Sequence, residues 1–208
     1  MRNCYSTGAS SPDRRMPFDR DYYQRFYFNS RTAVTSRAEM RARAQLIAGC
    51  VNYLGLPVGS ILDAGCGVGL LRAPLLRAFR RADYTGVEVS EYLCQRYGWH
   101  CSSVERFRSR RRFDLVICYD VLQYLSEVEA RRAIANLGRL CRGALYFGAL
   151  TTEDWRDNCD QARTDKVPGL RPGSWYRREL ARWFRPIGCG MWLKPQLPIS
   201  VWNLDAAA

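Results

Sequence analysis

Apolar residues at Met40, Ala44, Ile47, Val51 and Leu54 step along the chain by 4, 3, 4 and 3 positions, the spacing of one helical face. Ser36 followed by Glu39 marks the start of this helix as a capping box, and Gly55 with Pro57 marks its end. From there the pattern alternates. Ser60–Asp63 is a short apolar run closing in a glycine-rich turn, and Leu70–Phe79 reads as a helix with Pro74 confined to its first turn. Tyr84–Glu88 is predicted as a strand, Ser90 opens a helix that Gly98 closes, and Trp99–Val104 is a weaker third strand. Phe113–Tyr119 (FDLVICY) is apolar almost throughout, as expected of a strand covered on both faces. Ser126 and Glu129 form a second capping box before a helix to about Leu140, and Ala144–Leu150 is a fifth strand. Beyond the polar stretch Thr151–Ser174, Trp175–Phe184 resumes as a helix, and Pro186–Leu193 with Ile199–Leu204 read as two last strands. Strands alternating with helices predict an α/β fold: a doubly wound, mostly parallel sheet of seven strands with a C-terminal antiparallel edge hairpin. Residues 1–17 read as a flexible tail, and 18–208 as a single domain with a cap or insertion at about 151–175.

Composition narrows the class. The chain has 208 residues, 47% of them hydrophobic, enough for a substantial core. No apolar run approaches the roughly 20 residues that cross a bilayer, and the first residues lack the apolar centre of a signal peptide, so a cytoplasmic protein without a membrane partner is expected. The net charge of +12 is of the kind that draws nucleic acid. Its basic residues are almost all arginine, however, with only Lys166 and Lys194 as lysines, and they are spread along the chain. That skew fits GC-rich codon usage, and a nucleic-acid partner is not expected. Nine cysteines, an odd number with no CxxC pair, point to neither a disulfide framework nor a zinc site, and no metal is expected. They fit a reducing compartment.

The segment Ile61-Leu62-Asp63-Ala64-Gly65-Cys66-Gly67-Val68-Gly69 joins a strand to a helix. Glycines there let the chain turn tightly and let a ligand approach the backbone. A dinucleotide site wants G-x-G-x-x-G, but Leu70 stands where the third glycine belongs. Asp63 at the strand's end would repel a pyrophosphate and favour a ligand carrying ammonium or sulfonium charge. A Walker A loop is excluded, because no Gly-Lys-Ser/Thr is present.

With these residues the chain resembles the class I S-adenosylmethionine-dependent methyltransferases of small-molecule type. Their first motif is similar to Leu62–Gly69. Glu88, 25 residues after Asp63, ends the second strand, and Phe113–Leu125 is similar to their fourth-strand segment. The resemblance covers about residues 36–150 and implies a Rossmann-like fold with S-adenosylmethionine as cofactor. It implies a cofactor site at Asp63, Gly65, Cys66, Gly67, Gly69, Glu88, Val89, Ser103, Val104, Tyr119 and Asp120, with Glu88 accepting from both ribose hydroxyls. The family's acid at the end of strand three is replaced by Ser102 and Ser103. A serine oxygen would then accept from the adenine amino group, and the Val104 N–H would donate to the ring. The aromatic piece Phe18–Phe28 is expected either in the core or as a cofactor lid, with Tyr27 and Arg31 as the lid candidates. Cys66 is expected as a packing residue, and His100, the sole histidine, in a structural or solvent role.

The resemblance implies methyl transfer to a small molecule by in-line displacement, with the catalytic base, if any, unassigned. No Asn/Asp-Pro-Pro-Tyr/Phe or Pro-Cys follows strand four, against DNA amino or cytosine C5 methylation. Arg156, Arg163, Arg171 and Arg177, with Trp155, Trp175 and Tyr176, flank the expected acceptor region and suggest an acidic acceptor. Asp120 with Asp157 and Asn158 is the weaker metal-binding alternative. The other readings are an RNA or protein methyltransferase and a non-catalytic partner of the same fold. A monomer or homodimer is expected.

Overall fold

The computed structural model describes residues 18–29, 31–161, 164 and 169–200. Seven strands form one sheet: β1 (Ser60–Ala64), β2 (Asp83–Glu88), β3 (His100–Cys101), β4 (Phe113–Tyr119), β5 (Cys141–Gly148), β6 (Arg185–Gly188) and β7 (Met191–Leu193). Their order is β3-β2-β1-β4-β5-β7-β6. The first five pair with one another in parallel, and β7 runs antiparallel to both β5 and β6. The predicted doubly wound sheet with an antiparallel edge hairpin is the observed one.

Both faces of the sheet are covered, and the sequence of β4 shows why. Its side chains alternate: Val116 and Cys118 join one core cluster, Leu115 and Ile117 the other. The first cluster packs under α5 (Glu127–Leu140) and α7 (Gly173–Ala181), the second under α2 (Arg37–Tyr53) and α3 (Arg72–Ala78). The same alternation in β1 sends Leu62 and Ala64 to one face and Ile61 to the other, which places Asp63 on the α2–α3 face.

The two predicted capping boxes differ. Ser126 and Glu129 make both reciprocal bonds. Ser36 accepts from the Glu39 N–H, but the Glu39 carboxylate turns instead to the Thr35 hydroxyl at 3.2 Å and to Arg43 at 3.8 Å. Helix α4 (Glu91–Tyr97) starts at Ser90 and stops at Gly98, whose φ of 72° supplies the left-handed cap.

Several boundaries need correction. The third strand is only two residues long, because the Ser103 carbonyl accepts from the Arg106 and Phe107 N–H groups and starts a turn. The predicted strand Pro186–Leu193 is itself the hairpin: Gly188, Cys189 and Gly190 all have positive φ and reverse the chain inside the apolar run. Ile199 and Ser200 lie outside any strand, and 201–204 fall outside the described residues, as does the predicted tail 1–17. The aromatic piece is helical, α1 (Arg20–Tyr23) running into a π-helical turn over Gln24–Phe28. In the predicted insertion, α6 (Thr152–Asp157) precedes a bridge from Thr151 to Arg171. No helix among the described residues is long and apolar enough to cross a membrane.

Candidate functional site

The carboxyl ends of β1, β2 and β4 open onto a cleft of about 1330 Å³, beside a smaller cavity of about 100 Å³. Gly65, Gly67 and Asp120 line both, and Tyr27 reaches both from above. Glu88, Val89, Ser103 and Val104 line the large cleft, whereas Asp63, Cys66 and Tyr119 line the small one. Ten of the eleven residues singled out in the sequence therefore meet at one junction. Gly69 lines neither cavity; a Cβ there would come 2.7 Å from the Trp99 ring.

The turn after β1 is pinned by backbone bonds. The N–H groups of Gly65 and Cys66 both donate to the Val87 carbonyl, at 2.8 and 3.0 Å. Gly65 has φ of 84°, and a Cβ there would lie 2.3 Å from Val121. At Gly67 the added Cβ would meet nothing within 4 Å, so the chain presents bare backbone to open space.

Glu88 is 5% exposed and is held by main-chain donors. Its Oε2 accepts from Gly67 N–H at 2.8 Å, and its Oε1 accepts from Val89 N–H at 2.8 Å and Ser90 N–H at 3.0 Å. The Tyr23 hydroxyl approaches Oε1 at 3.5 Å, at the edge of hydrogen bonding. A carboxylate has about four acceptor positions: Val89 and Ser90 fill those of Oε1, where the Tyr23 hydroxyl is a long third contact, and Gly67 leaves one on Oε2. Tyr23 is buried beside Glu88, and both effects push its phenol well above the ordinary range, so it stays a donor.

Asp63 accepts from the Tyr84 hydroxyl. Burial pushes its carboxyl up to about 7; the Tyr84 bond pulls against this and the charge of Glu88 adds to it. Burial also pushes the Cys66 thiol well up, which leaves it a packing group rather than a nucleophile. Asp120 has φ of 61°, a conformation uncommon outside glycine. The side-chain amide of buried Gln123 donates to its Oδ1.

The aromatic segment lies over the large cleft: Phe18, Tyr22, Tyr23 and Tyr27 line it. The Ser90 hydroxyl donates to the Phe18 carbonyl, and the Phe18 ring meets Tyr124 at 5.3 Å. Arg31 lines neither cavity. His100 is exposed on β3, its ring 5.7 Å from Phe107.

Of the described arginines expected to clamp an acceptor, only Arg171 reaches the cleft. Its Nη1 donates to the Leu122 carbonyl at 2.9 Å and the Tyr176 hydroxyl at 3.2 Å, and its Nη2 donates to the Leu125 carbonyl. Arg156 pairs with Asp157 at 2.6 Å, and Asn158 bonds Asp154 at 3.1 Å, so neither Asp157 nor Asn158 turns toward Asp120. Arg177 lines neither cavity, and Arg163 falls outside the described residues. Trp175 and Tyr176 are core residues.

Glu105 escaped the sequence reading. It is 9% exposed and lines the cleft two residues after Ser103, whose hydroxyl donates to its Oε1 at 2.6 Å. Its Oε2 is buried and has no hydrogen-bond partner among the described residues. The signal lay in position: the acid sought at the strand's end stands a short step beyond it, inside the turn that ends β3.

Residues 62–143 match the family model described as "Methyltransferase domain". That stretch, less than half of the chain, is similar to a methyltransferase domain. Over 104 residues it is 31% identical to nodulation protein S of Rhizobium tropici, a match covering 45% of this chain and 44% of that one. Over 102 residues it is 32% identical to malonyl-[acyl-carrier protein] O-methyltransferase of Anoxybacillus flavithermus, covering 44% and 39%. The chain thus matches less than half the length of these curated relatives. Among solved structures, the N-methyltransferase NodS of Bradyrhizobium japonicum, in complex with S-adenosyl-L-homocysteine, aligns with a TM-score of 0.60 at 18% identity. That alignment covers 85% of this chain and 98% of the other. The stretch matched by the family model contains the glycine turn, Glu88 and the whole of β4.

Proposed function

We propose that this chain transfers a methyl group from S-adenosylmethionine to a small molecule. The observation that carries the reading is Glu88: a buried carboxylate fixed by three backbone N–H groups, with an acceptor position left beside a glycine turn that presents bare backbone to the cleft. Such an acceptor suits the ribose diol. Ser103 and the Val104 N–H stand where adenine would lie, with Glu105 behind Ser103. Asp63 and Asp120 border the end of the site that would take the cationic part of the donor. When bound, the donor supplies a methyl carbon made electrophilic by its sulfonium. The protein's part is to hold donor and acceptor in line and keep water out, and such positioning can contribute roughly 7–11 kcal/mol. The aromatic segment over the cleft suits that task. A cleft of about 1330 Å³ exceeds the roughly 300–1,000 Å³ of ordinary ligand pockets, leaving space for an acceptor beside the donor. The free cysteines among the described residues fit a reducing, cytoplasmic setting. Calorimetric titration with S-adenosylmethionine and S-adenosylhomocysteine tests the reading: saturable one-to-one binding is expected, and no binding of either ligand refutes it.

The lining also bears on the acceptor's charge. Among the described residues, seven carboxylates but only Arg106 and Arg171 as cations line the cleft, in a chain of net charge +12. This favours a neutral or cationic acceptor over the acidic one that the arginines suggested, and it disfavours a polyanion in the cleft. With matched compounds (cyclohexylamine, cyclohexanol and cyclohexanecarboxylate) and the donor product present, the carboxylate is expected to bind at least tenfold more weakly than the amine. Equal or tighter carboxylate binding contradicts this.

Donor binding is also expected to depend on pH through Asp63. Its carboxyl titrates at about 7, and a cationic ligand needs it ionised. Affinity for S-adenosylmethionine should fall by up to about tenfold per pH unit below pH 7, the limit for one linked proton. Asp63→Asn should flatten that slope. In the protein without ligand the sign is opposite. The folded state holds a proton that the unfolded chain releases from about pH 4 upward, so the stability contributed by Asp63 falls as pH rises from about 4 to 7.

A further inference from the structure

We propose that Trp99 is a positioning residue for the donor site, setting the orientation of Glu88 through the peptide units of Gly67, a role that rests on the donor reading of Glu88. Trp99 lines neither cavity. It follows Gly98, whose left-handed conformation turns the chain out of α4. Its indole N–H donates to the Gly67 carbonyl at 3.0 Å, while the N–H of Gly67 donates to Glu88 Oε2 at 2.8 Å. Gly67 is thus held on both sides: one tie comes from the residue just before β3 and the other goes to the carboxylate at the end of β2. The ring accounts for two further glycines. A Cβ on Gly69 would lie 2.7 Å from it and one on Gly86 2.6 Å, so the loop and β2 both need bare backbone where the indole lies. Its surroundings reach the second acid as well: Tyr84, 6.0 Å from Trp99 ring to ring, donates its hydroxyl to Asp63. Arg72, from the helix that follows the loop, places its guanidinium 5.5 Å from the indole.

If the indole only filled space, removing its N–H would affect every donor-site ligand alike or not at all. If it orients Glu88 through Gly67, the loss should depend on the ribose hydroxyls that Glu88 would receive. The test compares S-adenosylhomocysteine with its 2′,3′-dideoxy analogue by calorimetry on the full chain. One variant is Trp99→Phe. The other carries at position 99 the benzothiophene isostere of tryptophan, which keeps the ring's shape and replaces N–H by sulfur, so that folding is preserved. Both are expected to bind S-adenosylhomocysteine about tenfold more weakly than the parent and the dideoxy analogue within twofold of it. An equal loss for both ligands, or no loss in the isostere, overturns the role of Trp99 and leaves the donor site standing. Failure of the parent chain to bind S-adenosylhomocysteine overturns the donor site itself, and this role with it.

Discussion

Glu88→Gln is expected to weaken S-adenosylhomocysteine binding by about a hundredfold. The parent carboxylate receives Gly67, Val89 and Ser90 N–H groups and keeps an acceptor position on Oε2. Glutamine has almost the same shape but only one oxygen. Its amide nitrogen must face either the Gly67 N–H or the Val89 and Ser90 pair, donor against donor, and it offers no charge to a ribose hydroxyl. Hydrogen bonds to charged groups contribute about 1.5–3 kcal/mol each, and 1.4 kcal/mol corresponds to a factor of ten. Losing the charged acceptor for a diol therefore corresponds to about two powers of ten. Part of the change will also appear as lower stability, since a buried N–H loses its acceptor. A binding measurement at a temperature well below the melting transition separates the two. A loss under fivefold contradicts the role of Glu88.

The second large effect is on stability. Arg171 is 7% exposed, and its guanidinium ties the Leu122 and Leu125 carbonyls to the Tyr176 hydroxyl, with the Trp175 ring 5.1 Å away. It joins the turn after β4 to the start of α7. Arg171→Met keeps much of the apolar stem but leaves these acceptors without their donor. Stranded buried acceptors cost about 1–3 kcal/mol each, so roughly 3 kcal/mol is expected in total. For a chain of this size that lowers the melting temperature by about 6–12 °C. Thermal unfolding followed by circular dichroism checks this. A melting temperature unchanged within 2 °C, together with lost acceptor binding, would instead restore Arg171 as an acceptor clamp.

That reversal shows where sequence and structure part. Arg171 was legible as a cation near the acceptor region, but not as one already bound to two carbonyls, because those partners lie 46 and 49 residues away along the chain. Local signals served well where local physics decides. Ser90, Gly98, Ser126 and Glu129 mark helix ends through bonds made within a few residues, and the two-faced apolar run of β4 has the span predicted for it. The glycine turn, Asp63 and Glu88 were legible because a strand–turn–helix unit keeps its order along the chain. Strand β3 was overdrawn because nothing apolar in Ser102 or Ser103 signals the turn that stops it. The hairpin Arg185–Leu193 hid inside one hydrophobic run, and only three consecutive residues with positive φ divide it. Trp99 and Glu105 were missed for a common reason: each is tied to a residue of the candidate site, Trp99 to Gly67 and Glu105 to Ser103, and a single sequence does not display such ties.

The central claim is that Glu88, at the end of β2, receives the sugar of a sulfonium donor seated against the Gly65–Gly69 turn. A crystal structure of the chain with S-adenosylhomocysteine tests it most directly. The expected result is density along that turn, both ribose hydroxyls about 2.6–3.0 Å from the Glu88 carboxylate oxygens, and the Tyr23 hydroxyl moved off Oε1. Ligand density elsewhere on the molecule, or at the turn with the ribose facing away from Glu88, would contradict it.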